Sequence, residues 1–151
     1  MEDFYAKAVK DPMIGHQFRK IQSFEPQDPK DVLTPPLEAF SHHLPRIASF
    51  WELQLLGSSS RKIESPFNLI QTHKKLNILP GELGRWMVLF KETLKEKREE
   101  RLIELDESSP TRLMGQIQDE IDLLEKWEER AEDFRDRFLN SPHLFQNARH
   151  A

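Results

Sequence analysis

Apolar residues recur at steps of three and four through most of the chain, which is the pattern of amphipathic helices. The clearest stripe predicts a long helix that starts at Pro110, with Ser109 as its cap, and stops after Leu139. Its members are Leu113, Ile117, Ile121, Leu124, Trp127, Ala131, Phe134 and Phe138. No segment alternates between apolar and polar residues as a half-buried strand does. The pattern therefore predicts an all-α fold of about six helices.

Prolines and glycines divide the rest of the chain into shorter helices. A first helix around Tyr5 should end before Pro12, because the residue preceding a proline disfavours the helical conformation. A second should start near Leu44, within a turn of Pro45, and stop at Gly57.

The middle of the chain carries its own start signals. Ser65 is expected to cap a short helix that has Pro66 as its first residue and carries His73. Pro80 then opens a long helix. Earlier in the chain, four prolines between positions 19 and 36 predict a loop.

Length and composition favour one domain and remove several kinds of metal site. The 151 residues, 37% of them apolar, are enough for a single domain spanning 1–151, with a C-terminal tail at 141–151. The absence of cysteine excludes disulfides, zinc–thiolate sites, iron–sulfur clusters and covalently attached haem.

The charge and hydropathy of the chain argue against two further classes of partner. A net charge of -4 gives no basic footprint for nucleic acid. No apolar run approaches the roughly 20 residues that cross a bilayer. The first residues also lack the basic-then-apolar order of a signal peptide, so we expect a cytoplasmic protein that binds neither nucleic acid nor membrane.

A single histidine, His73, lies on the apolar side of its short helix, and such a residue is more often part of a core than a ligand. Other histidines and aromatic residues, however, follow one another in three sets along the chain. These sets are Tyr5 with Phe18, His43 with Ile47 and Trp51, and His73 with Trp86. The remaining histidines, His16, His143 and His150, stand in polar surroundings and are predicted to be exposed to solvent.

Three phrases place these residues in one order: FYAKAVKDPMIGHQF at 4–18, HLPRIASFWELQLLG at 43–57 and THKKLNILPGELGRWMVLFKETL at 72–94. In that order they resemble the third group of the truncated haemoglobins. The likeness spans roughly the first 94 residues, apart from the connection at 19–42. It implies a globin-like two-over-two helical sandwich with an extended C-terminal helix, and haem b bound without a covalent link.

The resemblance assigns a role to both sides of the haem. His73 falls on the proximal position that ligates the iron, with its other ring nitrogen donating to a backbone carbonyl such as that of Leu69. Tyr5 and Trp86 fall on the distal donors to a bound diatomic ligand. His43 matches the distal histidine; His42 competes for this role, although the spacing to the wall residues favours His43.

Further residues match the wall of the haem pocket. Phe18 would pack on the haem edge, Ile47 and Trp51 would form apolar wall, and Arg46 would pair with a propionate. Each also has an ordinary interpretation, because Phe18, Ile47, Trp51 and Trp86 suit any core and Arg46 suits any surface.

The implied function is binding of dioxygen or another diatomic gas, for oxygen transport or storage, sensing, or turnover of nitric oxide or peroxide. The alternative is a haem-free helical adaptor that binds a protein partner or a second copy through its C-terminal helices. Three features depart from the family: a longer connection at 19–42, little chain before Tyr5, and a longer, more charged segment at 95–151. The short start and the long final segment favour the alternative, whereas the presence of Tyr5, His43, His73 and Trp86 together argues against it.

Overall fold

The computed structural model describes residues 1–107 and 111–141. In these residues the chain forms six α-helices and two short 3-10 helices, at Pro29–Asp31 and Leu37–Phe40, with no strand. The α-helices are α1 (Glu2–Ala8), α2 (Gly15–Arg19), α3 (His43–Leu56), α4 (Leu69–Lys74), α5 (Pro80–Glu107) and α6 (Thr111–Leu139). The all-α prediction is confirmed for this part of the chain. No helix in it is both long and apolar enough to cross a membrane.

The end of α3 is formed by the residue expected to form it, and α1 ends at Ala8, before Pro12 as predicted. At the end of α3, Gly57 adopts a left-handed φ of 77°, and its N–H donates to the carbonyl of Leu53. A side chain at this position would be strained, so glycine is the fitting residue. After α1, the Asp11 carboxylate accepts the backbone N–H groups of Met13 and Ile14 and turns the chain into α2.

The predicted start of α4 is wrong. The helix begins at Leu69, where the Asn68 side chain accepts the backbone N–H of Gln71 at 3.1 Å. Ser65 and Pro66 lie in an irregular segment because their carbonyl groups face the guanidinium group of Arg46. An asparagine cap and a tertiary contact therefore override the Ser-Pro signal.

The long helices α5 and α6 pack against each other, and Leu139 ends α6 as predicted. Most of the α6 stripe is buried or half-buried, but Leu113 is 44% exposed. It lies beyond the main core, next to the stretch at 108–110 that contains the predicted cap. That cap and first residue, Ser109 and Pro110, lie outside the described residues.

Aromatic side chains join the two halves of the fold. The ring of Phe4 on α1 lies 5.3 Å from that of Phe90 on α5, and the ring of Trp51 on α3 lies 5.8 Å from that of Phe134 on α6. Buried aromatic pairs of this kind add about 0.5–1.5 kcal/mol to the hydrophobic gain from burial. They hold α1 and α3 against α5 and α6, while α4 contributes no fully buried residue.

Candidate functional site

A cavity of about 400 Å³ opens between the helices. Its volume lies within the range of small-molecule and cofactor pockets. The eight residues that the resemblance assigns to the haem pocket all line it: Tyr5, Phe18, His43, Arg46, Ile47, Trp51, His73 and Trp86. The fold thus brings together residues from positions 5 to 86 that the sequence could relate only by spacing.

His73 reaches the cavity from α4 with a defined ring orientation. Its Nδ1 atom lies 2.7 Å from the carbonyl oxygen of Leu69 one turn earlier, so Nδ1–H donates to that oxygen. This is the hydrogen bond expected from the resemblance. Burial lowers the pKa of the imidazole, which favours the neutral form with an available lone pair on Nε2. The ring of Phe138 from α6 packs beside it, with centroids 5.1 Å apart.

His43 and Tyr5 form a hydrogen-bonded pair in the cavity wall. The hydroxyl oxygen of Tyr5 lies 2.6 Å from Nε2 of His43. Burial, and then the charges of His73 and Arg46, lower the pKa of His43 to about 4, so the ring is neutral near pH 7. Neutral His43, with its proton on Nδ1, accepts a hydrogen bond from the Tyr5 O–H at Nε2. Burial raises the pKa of Tyr5, which keeps the phenol protonated as a donor.

Position distinguishes His43 from its competitor. His42 is exposed, does not line the cavity, and its backbone N–H donates to the Ser23 hydroxyl at 3.1 Å. Of these two residues, therefore, the cavity receives the side chain of His43.

Aromatic residues form much of the remaining wall. Trp86 stacks on Phe90 with centroids 4.6 Å apart and 14° between the planes. Phe18 meets the Tyr5 ring edge-on at 5.1 Å, and Trp51 is buried against Phe90 at 5.8 Å. Half-buried Ile47 completes this apolar surface. These contacts agree with both a core role and a pocket-wall role.

Arg46 is exposed beside the cavity. Its guanidinium nitrogens lie 3.4 Å and 3.3 Å from the carbonyl oxygens of Ser65 and Pro66, and its charge sits 4.4 Å from the centroid of the Phe67 ring. The side chain is therefore held in place by the segment that precedes α4. Phe67, which also lines the cavity, was not anticipated from the sequence.

A buried polar pair at the cavity wall was also missed. Gln17 donates to the Glu82 carboxylate at 2.9 Å, and Glu82 accepts the backbone N–H of Leu79 at the same distance. His16 is exposed, as predicted, but its Nε2 lies 2.9 Å from the other oxygen of Glu82. A glutamate three residues into a helix often bonds the N–H of the capping residue, so the position of Glu82 after Pro80 was an available signal.

Cations near the cavity were missed as well. Lys75 follows α4, Arg135 lies on α6, and both line the cavity together with Phe138. No local pattern marks them, since only the tertiary fold brings the end of α6 to α4. His143 and His150 lie outside the described residues.

Comparisons with known proteins add no relative. No protein-family model matches the chain, and no curated protein or solved structure gives a significant match. Within 1–107 and 111–141, no group of three or more histidine and acidic side chains is arranged to hold a metal ion. Any assignment of function therefore starts from the cavity and from the motifs quoted above.

Proposed function

We propose that this chain is a haem-binding globin of the truncated type that binds dioxygen or another diatomic gas. The observation that carries the proposal is a single apolar cavity holding His73, its Nδ1–H engaged by Leu69, together with the Tyr5–His43 pair. One imidazole and one set of polar donors inside an apolar pocket are the requirements of a gas-binding haem.

The residues present fit haem b. The cavity of about 400 Å³ is of cofactor size and largely aromatic. Non-covalent haem requires no cysteine, in keeping with the composition. The Leu69 carbonyl fixes the tautomer of His73 that leaves Nε2 as the ligating nitrogen.

The proposed division of labour follows the two walls of the cavity. His73 would hold the iron, and Phe138 would limit rotation of its ring. Ile47, Phe18 and Trp51 would exclude water from the apolar body of the cofactor. When bound, the haem would supply an iron centre with one position for the gas.

Tyr5 would be the principal donor to the gas. Its phenol stays protonated because burial raises the pKa. The O–H already donates a hydrogen bond to Nε2 of His43, so the Tyr5 hydroxyl has to turn from His43 towards the ligand. Trp86, in the same cavity, carries a second donor.

The proposed architecture is a two-over-two sandwich of α1 and α3 on α5 and α6. The contacts of Phe4 with Phe90 and of Trp51 with Phe134 support that pairing. We place the protein in the cytoplasm, in keeping with its lack of cysteine.

The test is the absorption spectrum of the purified protein titrated with haemin. We expect a Soret band that His73→Ala abolishes or strongly weakens and that free imidazole restores in this variant. His42→Ala is the matched control, since that histidine is exposed and outside the cavity. An unchanged spectrum in His73→Ala would remove the ligand role. A flat spectrum in the unmodified protein would favour the haem-free adaptor, with α5 and α6 as its binding surface.

A further inference from the structure

Three cationic side chains from separate parts of the fold line the cavity. Arg46 belongs to α3, Lys75 directly follows α4, and Arg135 belongs to α6. Lys75 and Arg46 are exposed, and the side chain of Arg135 is 34% exposed, so their charged groups lie at the solvent side of the cavity. We call these three residues the cationic rim.

Little negative charge in the cavity wall balances the cationic rim. Among the described residues that line the cavity, Glu82 is the sole acid, and its carboxylate already accepts from Gln17, Leu79 and His16. The cavity therefore combines an apolar interior with an excess of positive charge at its solvent side. Such a site is complementary to an amphipathic anion.

The rim residues differ in how firmly they are held. Arg46 is fixed by two carbonyl oxygens and the ring of Phe67. Among the described residues, the polar partner of Arg135 is the carboxylate of its neighbour Asp136, at 3.2 Å on the surface. An exposed ion pair of this kind contributes little, so Arg135 can exchange it for a ligand carboxylate at small cost.

We propose that Lys75 and Arg135 act with Arg46 to bind the two carboxylates of an amphipathic ligand. This inference rests on the proposed function, under which the carboxylates are the haem propionates. It assigns a cofactor-binding residue to α6, a helix whose sequence pattern predicts no chemical role. Two carboxylates need more than one cation, and the rim provides three, from separate parts of the fold.

The test compares haemin with its dimethyl ester, which keeps the ring and the iron but lacks both negative charges. We expect the unmodified protein to bind haemin roughly tenfold more tightly than the ester at low salt, from several exposed charge pairs together. The preference should shrink in 1 M salt because the charges are then screened. Iron-free protoporphyrin IX should prefer its diacid form in the same way, without help from His73.

Matched variants assign the preference to residues. Lys75→Gln and Arg135→Gln should each lower the haemin-to-ester ratio about two- to fivefold. Lys74→Gln and Arg137→Gln are the controls, because these neighbouring exposed cations do not line the cavity. Equal affinities for haemin and ester in the unmodified protein would overturn the proposal, as would equal ratios in rim and control variants. A diacid preference for iron-free porphyrin without a His73-dependent Soret band would keep the rim but remove the iron ligation.

Discussion

The hydroxyl of Tyr5 and Nε2 of His43 lie 2.6 Å apart, although 38 positions separate them in the chain. Tyr5 is buried, and His43 provides the hydrogen-bond partner of its hydroxyl. The two residues proposed to face the gas are therefore already partners of each other. A ligand gains a hydrogen bond from Tyr5 only as His43 loses one.

This competition bears on the effect of Tyr5→Phe. A hydrogen bond to a charged or strongly polarised ligand is worth roughly 1.5–3 kcal/mol, and an ordinary one about 1 kcal/mol. The hydrogen bond to His43 is lost when the hydrogen bond to the ligand forms, so the net gain is smaller than for a tyrosine without a partner. We therefore expect dioxygen release to be about tenfold faster in Tyr5→Phe. Stopped-flow release rates measure this, with the Soret band unchanged. Equal rates in the two proteins would place the donor elsewhere.

The lowered pKa of His43 predicts acid sensitivity of the haem-free protein. The pKa is about 4 in the fold and 6.5 without it, so the unfolded chain binds more protons between these values. Stability should therefore be full above pH 6.5 and decline as the pH falls towards 4. For this partly solvated group we expect a loss of about 1–2 kcal/mol between pH 7.5 and pH 5.

Urea unfolding across this pH range provides the measurement. His43→Gln should flatten the dependence, and His42→Gln should leave it unchanged, since His42 is exposed. His73 contributes part of the slope in all three proteins because burial also lowers its pKa. A slope equally steep in His43→Gln would contradict the prediction.

Local signals in the sequence were enough for most of the helices. Gly57 ends α3, Pro80 begins α5 and the α6 stripe ends at Leu139, because each depends on the backbone properties of a few adjacent residues. The start of α4 was mispredicted since Arg46, some 20 positions away, bonds the carbonyls of Ser65 and Pro66. A distant contact of this kind leaves no local trace.

For the candidate site as well, the sequence predicted some features and missed those that depend on distant contacts. The order of the candidate residues and the three quoted phrases predicted that His43, His73 and the aromatic wall belong to one site. They did not find the Tyr5–His43 bond, because no local rule pairs residues so far apart. Nor did they predict that Lys75 and Arg135 line the cavity, because these two residues come together only where the end of α6 packs beside α4.

The buried carboxylate of Glu82 should contribute measurably to stability. Glu82→Ala would leave the Gln17 side-chain amide and the Leu79 N–H without their acceptor, which we expect to cost about 1–3 kcal/mol. Glu82→Gln should cost less, because its amide oxygen still accepts from both donors. Glu99→Ala is the control: its side chain is 59% exposed and meets Lys95 only at 4.0 Å. If chemical denaturation gives Glu82→Ala the same free energy of unfolding as Glu99→Ala, the hydrogen bonds to Glu82 contribute nothing to stability.

The outer part of the α5–α6 hairpin should be sensitive to salt. Beyond Leu94, α5 has no fully buried residue, and the opposing stretch of α6 buries only Ile117 and Ile121 among the described side chains. Ion pairs bridge the helices here, with Arg101 2.7 Å from Glu120 and Arg98 4.0 Å from both Glu125 and Glu128. Exposed pairs of this kind contribute about 0.2–1 kcal/mol each and weaken as salt screens them.

We therefore expect amide hydrogen exchange at 98–107 to quicken several-fold in 1 M sodium chloride, while exchange at 86–94 changes little. The inner stretch is insulated because Met87, Phe90 and Leu94 are buried in the aromatic core. Arg101→Gln should reproduce part of the salt effect at low ionic strength, whereas Lys95→Gln should not, since Lys95 pairs with Glu99 of the same helix. If exchange at 98–107 changes neither with salt nor in Arg101→Gln, the ion pairs do not stabilise this part of the hairpin, and packing of Ile117 and Ile121 holds it together.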